Sequence, residues 1–335
     1  MISRLRCLCF GLGVLALLSA GLSAPTACAQ SASDNPAASR ASEEQMLQQR
    51  ARIQGRVSIP DQREGVLEQP LGRQWRAYHE VLLNWLGGTV ILGVTGMLAV
   101  FYLVRGPLRI AGGRCGRTIL RFNGFERFVH WVAGVSFTVL AVTGLNFTYG
   151  KKLLLPMIGP DAFTAVTSAG KYAHNFLSFP FVLSVAVMFV IWVKYNFPTA
   201  ADVEWLKQGG GFVGTRHPPA WRFNAGQKLL FWGVSGTTLL IAISGYMLIF
   251  PFYFANIAGM QIAEIVHSVS AVAFIAAVIA HIYIASIGME GGFDAMADGY
   301  VDLNWAKQHH SLWVEQEMAR GHVADPRAPT GVPAE

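Results

Sequence analysis

Four of the nine histidines, His130, His174, His267 and His281, fall in apolar stretches of membrane-spanning length. A ligating or ionisable side chain in such a stretch is a functional candidate, because hydrocarbon offers it no solvent. His267 and His281 are 14 residues apart, which on a helix means about 21 Å of rise and a return to within about 40° of the same face. One helix face therefore offers a ligand in each leaflet of a hydrocarbon core about 30 Å thick. His130 can meet His281, and His174 can meet His267. Two imidazoles on facing helices satisfy a six-coordinate haem iron, and a helical bundle core is where such a cofactor fits. For one histidine alone the ordinary reading is an interfacial residue bonded to a carbonyl, whereas four at matched depths point to two haems b. Zinc suits the pairs less well, since neither has third and fourth ligands nearby. Gly144 follows His130 by 14 residues, so the face that presents a ligand at one level presents no side chain at the other. Ordinary close helix packing accounts for Gly134, Gly144, Gly236 and Gly245 equally well.

The elements that must hold these residues follow from composition. Of 335 residues, 53% are hydrophobic and only 14% charged, well under the roughly 25% of soluble domains. This excludes a soluble globular enzyme, a disordered chain and a nucleic-acid binder, and predicts a polytopic helical membrane protein. Five apolar stretches of spanning length run over about 81–104, 128–149, 172–195, 229–250 and 263–287. The loop between the first two carries Arg105, Arg109, Arg114, Arg117, Arg121 and Arg127 against Glu126 alone, which marks 105–127 as cytoplasmic. Lys194, Lys207, Arg216, Arg222 and Lys228 agree. The arm arginines Arg50 to Arg76 and the pair Lys151 and Lys152 oppose it, but most of the arm lies too far from a span to count. The net charge of +6 then records topology and asks for no polyanionic partner.

Residues 1–29 read as a signal peptide, with Arg4 and Arg6 ahead of an apolar run at Leu8–Leu18 and Ala27-Cys28-Ala29 as the cleavage site. Cleavage removes Cys7, Cys9 and Cys28 and leaves Cys115 alone, so the mature chain is expected to hold no disulfide, CxxCH haem attachment or cysteine-ligated cluster. Residues 30–80 are expected to form a polar periplasmic arm, and 288–335 a polar cytoplasmic tail containing His309 and His310. His79, His217 and His322 are expected at the surface.

Several phrases resemble one family, the cytochrome b (gamma) subunit of respiratory formate dehydrogenase. They are Arg121-Phe-Asn-Gly-Phe-Glu-Arg-Phe-Val-His130-Trp, Lys171-Tyr-Ala-His174, Arg222-Phe-Asn-Ala-Gly-Gln-Lys-Leu-Leu-Phe-Trp232, the spacing from His267 to His281, and Trp305-Ala-Lys-Gln-His-His310. The resemblance covers roughly 118–320. The Asn-Ala-Gly-Gln-Lys phrase and the Trp-Ala-Lys-x-His-His tail set it apart from hydrogenase and thiosulfate reductase cytochromes, which the paired histidines alone would also suit.

The resemblance implies an all-α integral membrane fold: a four-helix di-haem cytochrome b bundle over 128–287, plus one additional N-terminal transmembrane helix over 81–104 that the family pattern lacks. It implies haem ligands at His130 with His281 and at His174 with His267. It implies a periplasmic iron–sulfur (beta) subunit as electron donor, a pterin-containing catalytic (alpha) subunit that oxidises formate, and quinone reduced near the cytoplasmic haem beside Asn224 and Gln227. Read from the residues alone, Asn224 and Gln227 equally form a helix-capping pattern. The expected setting is the bacterial inner membrane, with the mature N-terminus periplasmic and the C-terminus cytoplasmic. The alternatives are a cytochrome b subunit of a hydrogenase or other molybdopterin oxidoreductase, and a haem-free membrane scaffold.

Overall fold

Hydropathy and length dictate most of the architecture. The computed structural model describes residues 72–211 and 217–321, so the expected signal peptide, most of the arm, His322 and the end of the tail lie outside the described residues. Among the described residues, five helices are long and apolar enough to cross a membrane: Gln74–Arg105, Gly124–Leu153, Leu155–Tyr195, Ala225–Ile249 and Ile257–Gly288.

The first is built from α1 (Gly72–Ala77), a π-helical turn at Tyr78–Leu82 and α2 (Leu83–Arg105). It starts earlier than position 81 because Tyr78, assigned to the arm, is anchored to the bundle: its hydroxyl pairs with Ser268 Oγ at 2.7 Å. Gly106, at φ 70°, ends α2. The next two spans, α3 (Gly124–Leu153) and α4 (Leu155–Trp192), are joined by a tight reversal where Gly159 takes φ 79°. Only glycine takes that backbone conformation without strain, and Pro160 restarts the helix after it. The last two spans are α6 (Ala225–Ile249) and α7 (Ile257–Tyr283), with a short helix α5 (Ala200–Lys207) ahead of them.

Both α3 and α6 begin with a capping box. Asn123 accepts from the Glu126 N–H while the Glu126 carboxylate accepts from the Asn123 N–H, and Asn224 and Gln227 exchange the same two bonds. Each cap is worth about 1 kcal/mol. These two starts belong to an internal repeat. Arg121-Phe-Asn and Arg222-Phe-Asn lie 101 positions apart, and Trp131 and Trp232 donate to the Met296 and Asn196 carbonyls at the same 2.9 Å. The bundle core repeats too. Ala133 and Leu140 of α3 correspond to Val234 and Ile241 of α6, and Phe181 and Val185 of α4 to Phe274 and Val278 of α7, all in one hydrophobic cluster. The span pair α3–α4 is thus the counterpart of α6–α7.

The tail is not a free polar segment. Strand β1 (Thr118–Leu120), inside the arginine-rich loop, pairs antiparallel with β2 (Tyr300–Asp302), with Ile119 opposite Val301. Around this pair α8 (Asp294–Ala297), α9 (Leu303–His309) and α10 (Ser311–Ala319) fold back. Ile119, Phe122, Trp192, Phe223, Trp305 and Trp313 form a second hydrophobic cluster. This cap covers the helix starts of α3 and α6. The loop at 105–127 and the described part of the tail from 288 thus pack as one folded unit, closed by buried aromatic residues that a polar composition conceals.

Candidate functional site

The cap-end pair is made by His130, in the second turn of α3, and His281, in the last turn of α7; their ring centroids are 6.1 Å apart at an interplanar angle of 68°. His130 Nδ1 is buried without a hydrogen-bond partner. The far-end pair is His174 of α4 and His267 of α7, with centroids 6.2 Å apart and an angle of 61°. All four expected residues are therefore brought together as two facing pairs at two levels, in the expected combinations.

Hydrogen bonds fix which nitrogens face the gap at the far end. His267 Nδ1 lies 3.2 Å from the Ile241 carbonyl, which can only accept, so Nδ1 carries the proton and Nε2 keeps a free lone pair. Thr143 Oγ1 donates to the Val139 carbonyl at 2.7 Å and so accepts from His174 Nδ1, also at 2.7 Å. His174 Nε2 is then unprotonated as well. A ring N–H held by a carbonyl or hydroxyl is the usual support of a metal-ligating imidazole.

The arrangement follows the repeat, with Ser244 Oγ 3.3 Å from His267 Nδ1 as the counterpart of Thr143. Beside these stand Gly144, whose added Cβ would lie 3.6 Å from His174 Cε1, and Gly245, whose Cβ would lie 3.0 Å from His267 Cε1. Gly245 makes room for its imidazole, whereas a methyl at Gly144 would make only an ordinary contact. By contrast a Cβ at Gly236 would meet nothing within 4 Å, and one at Gly134 only Trp131 at 4.0 Å, so close helix packing does not explain those two.

The pairs fit a b haem. Metal–imidazole bonds of about 2 Å on either side, plus roughly 1 Å from nitrogen to ring centre, require facing centroids about 6 Å apart. Among the described residues no group of three or more His, Cys, Asp or Glu is placed to hold a metal by itself.

At the cap end the repeat is broken. The positions equivalent to His130 and His281 are Phe231 and Met188, both packed among apolar side chains. The cap-end pair thus takes one histidine from each half, at non-equivalent positions, and has no counterpart on α4 and α6.

Asn224 and Gln227 do form the capping box, so the Asn224 Oδ1 and Gln227 Oε1 atoms are engaged. Lys228 follows them in α6; its ammonium donates to the Asp202 carboxylate at 2.7 Å and to the Phe197 carbonyl at 3.0 Å. Burial pushes the Asp202 carboxyl up, but Lys228 and the Thr199 N–H and hydroxyl outweigh it and hold it below its ordinary value.

His310, which belongs to the polar tail and to the Trp-Ala-Lys-x-His-His phrase, is fully buried. Its Nδ1 donates to the Trp221 carbonyl at 2.7 Å, and its Nε2 accepts from Arg121 Nη2 at 3.0 Å. Burial and the neighbouring Arg121 charge push its pKa well below 6.5. Burial, with His217 and Arg121 adding to it, takes His309 down to about 4, and the same desolvation, with Arg222 beside it, lowers Arg121 to about 9. His217 is exposed as expected, while His79 is only half-exposed, 3.9 Å from Glu264. Two signals were available in the sequence for what was missed: the spacing of 101 between the Arg-Phe-Asn phrases, and the aromatic pair Trp305 and Trp313 around His310.

Residues 121–299 match the family described as prokaryotic cytochrome b561. That is more than half of the chain, and the chain belongs to this family of helical membrane cytochromes b. Among individual relatives, it is 30% identical over 204 residues to a formate dehydrogenase cytochrome b556 subunit of Escherichia coli, covering 59% of this chain and 93% of that protein. It is 27% identical over 206 residues to the nitrate-inducible formate dehydrogenase cytochrome b556 subunit of the same organism, covering 60% and 92%. To the Haemophilus influenzae formate dehydrogenase cytochrome b556 subunit it is 26% identical over 209 residues, covering 60% and 84%. These relatives support a cytochrome b subunit of formate dehydrogenase, as the matching phrases implied.

Proposed function

We propose that this chain is the membrane anchor and electron-transfer subunit of a formate dehydrogenase. In this reading it takes electrons from a periplasmic iron–sulfur subunit, which receives them from a pterin-containing catalytic subunit, and delivers them to quinone near the cytoplasmic side. The observation that carries the proposal is the pair of imidazole gaps, each with centroids about 6 Å apart and stacked along α7.

His174 and His267 hold the periplasmic-side haem, and His130 and His281 the cytoplasmic-side haem. A b haem supplies reversible one-electron chemistry when bound. The rest is done by side chains. The Ile241 carbonyl and Thr143 hydroxyl orient the far-end rings and keep Nε2 available; Gly245 leaves the His267 ring space; the apolar cluster around Phe181 and Phe274 keeps water out between the two levels. The arginines of 105–127 support a cytoplasmic setting for the cap by the charge rule.

With Asn224 and Gln227 tied by their oxygens into the helix cap, each still has an amide NH2 group to offer. Such a donor orients a quinone carbonyl while protons arrive from the cytoplasm. Capping and quinone contact are therefore compatible roles of the same two residues.

Haem quantitation on the purified chain tests the reading: two haems per chain are expected, falling to one on His174→Ala or His267→Ala. One haem in the unaltered chain would sink the two-level arrangement.

A further inference from the structure

At the end of the bundle away from the cap, Trp75, Phe252 and Met260 wall a cleft of about 240 Å³ whose polar lining is Gln261 and Glu264. Gln261 is only 8% exposed, and neither its Nε2 nor its Oε1 has a hydrogen-bond partner. Native folds seldom leave both polar atoms of a buried amide unmet, so a group of this kind asks for an explanation outside the fold itself. Glu264 lies one turn further along α7 on the same face, its carboxylate 3.9 Å from His79 Nε2. Phe252 is the one non-glycine among the described residues with a positive φ, 63°, and backbone strain of this sort gathers at ligand clamps. Trp75 and His79 precede the segment 121–299 that matches the family, so the cleft is made jointly by the family bundle and the additional helix.

The chemistry of the lining selects the occupant. The walls are apolar and aromatic and sit at the ends of spans, where a ligand arrives from lipid. The volume is below the roughly 300–1,000 Å³ of pockets for drug-sized molecules and suits a single ring. No lysine or arginine lines it, so a phosphate headgroup finds no counter-charge and meets a carboxylate instead. An amide oxygen and a carboxylate both accept, while one amide nitrogen donates. A ring hydroxyl can donate to Gln261 Oε1 or Glu264 and accept from Gln261 Nε2. A quinone oxygen, which only accepts, leaves the acceptors unmet.

We propose that this cleft binds the ring of a membrane-soluble hydroquinone in preference to its quinone. It uses none of the residues of the cap-end quinone reading, and the two stand or fall separately.

The test uses the full chain in phosphatidylcholine nanodiscs and two probes: 4-hexylresorcinol, which carries two ring hydroxyls, and its dimethyl ether, which only accepts. Calorimetric titration is expected to show the diphenol binding at least tenfold more tightly than the ether. Gln261→Leu keeps the side-chain bulk and removes both polar atoms; it should weaken the diphenol at least tenfold, leave the haem spectrum intact and raise Tm without ligand, because a costly buried amide is gone. Glu264→Gln, which keeps the shape and exchanges an acceptor for a donor, should weaken it at least threefold. Asn224→Asp should leave diphenol binding unchanged. Equal affinity for the two probes would overturn the proposal, as would a folded Gln261→Leu chain with unchanged affinity, or, should that variant fail to fold, a Glu264→Gln chain with unchanged affinity. A co-purifying phospholipid that the diphenol does not displace would overturn it too.

Discussion

Arg121 and Arg222, 101 positions apart in sequence, each donate a guanidinium N–H to the other's backbone carbonyl, at 2.8 and 3.0 Å. Such reciprocal contact is the mark of two equivalent pieces meeting about an approximate two-fold. Phe122 and Phe223 touch beside it, with ring centroids 6.0 Å apart, and the Arg222 guanidinium also reaches the Glu126 carboxylate at 2.8 Å. The junction of the two halves is therefore a charged pair inside an aromatic setting, directly over the starts of α3 and α6. Arg222→Ala should loosen both helix starts at once. Because it leaves Glu126 buried with only the Trp192 indole and its own cap as partners, a loss of about 3 kcal/mol is expected, readable as a lowered midpoint in thermal unfolding followed at the haem band.

Gly144 and Gly245 are equivalent in the repeat but predict different outcomes. Replacing a helical glycine by alanine gains about 1 kcal/mol in helix propensity, whereas overpacking costs about 1–3 kcal/mol. At Gly144 the new methyl meets His174 at 3.6 Å, an ordinary contact, so Gly144→Ala should be neutral or mildly stabilising. At Gly245 the distance is 3.0 Å, and in the proposed arrangement the His267 ring would be held by iron and could not give way. Gly245→Ala should lower occupancy of the far-end haem and leave the cap-end one in place, as measured by haem content and the reduced-minus-oxidised spectrum.

The cap carries a pH dependence whose sign follows from its histidines. Both His309 and His310 have depressed pKa values in the fold, so each is neutral in the native state and gains a proton more readily when unfolded. Their contribution is present above the ordinary value of 6.5 and is lost as pH falls below it, for His309 on the way down to about 4, at up to about 1.4 kcal/mol per pH unit for each histidine. Thermal midpoints measured at pH 7.5, 6 and 5 should fall in that order, and His310→Asn should flatten the trend. A midpoint that stays level to pH 5 would show that neither histidine is held neutral.

Lys228 and Asp202 form a buried ion pair, with side chains 6% and 12% exposed. Removing one partner strands the other, so Asp202→Ala should cost about 3–5 kcal/mol. The double change Asp202→Leu with Lys228→Met should recover most of it, as a double-mutant cycle would reveal.

Asn224→Asp separates the two roles of Asn224. Aspartate caps a helix as well as asparagine but has no N–H to donate. Stability within about 0.5 kcal/mol of the parent, together with a several-fold loss of formate-dependent quinone reduction in the assembled complex, is the expected result; unchanged reduction would restrict Asn224 to capping.

The sequence made some of this legible and hid the rest for physical reasons. Runs of twenty apolar residues have few alternatives to a membrane helix, and the positions of His267 and His281 on one helix follow from its pitch, so the spans and the pairing of histidines could be read directly. The supports of those histidines could not, because Thr143, Ser244 and the Ile241 carbonyl are ordinary until the helices meet. The cap was hidden because its strands are three residues long and far apart in the chain. A hydropathy window sees only polar loop and polar tail where Phe122, Trp305 and Trp313 close over Arg121.

The partner of Thr118–Leu120 is Tyr300–Asp302, and this sets a schedule for biosynthesis. The loop after the first span emerges from the ribosome early, but its strand waits until Tyr300–Asp302 have been made. Until then Arg121 has neither the His310 imidazole nor the Trp305 and Trp313 rings around it. Closure of the cap thus reports that the last span has been threaded. A chain terminated between residues 290 and 300 would carry every histidine of the two pairs and still lack the strand and the aromatic rings that close over Arg121.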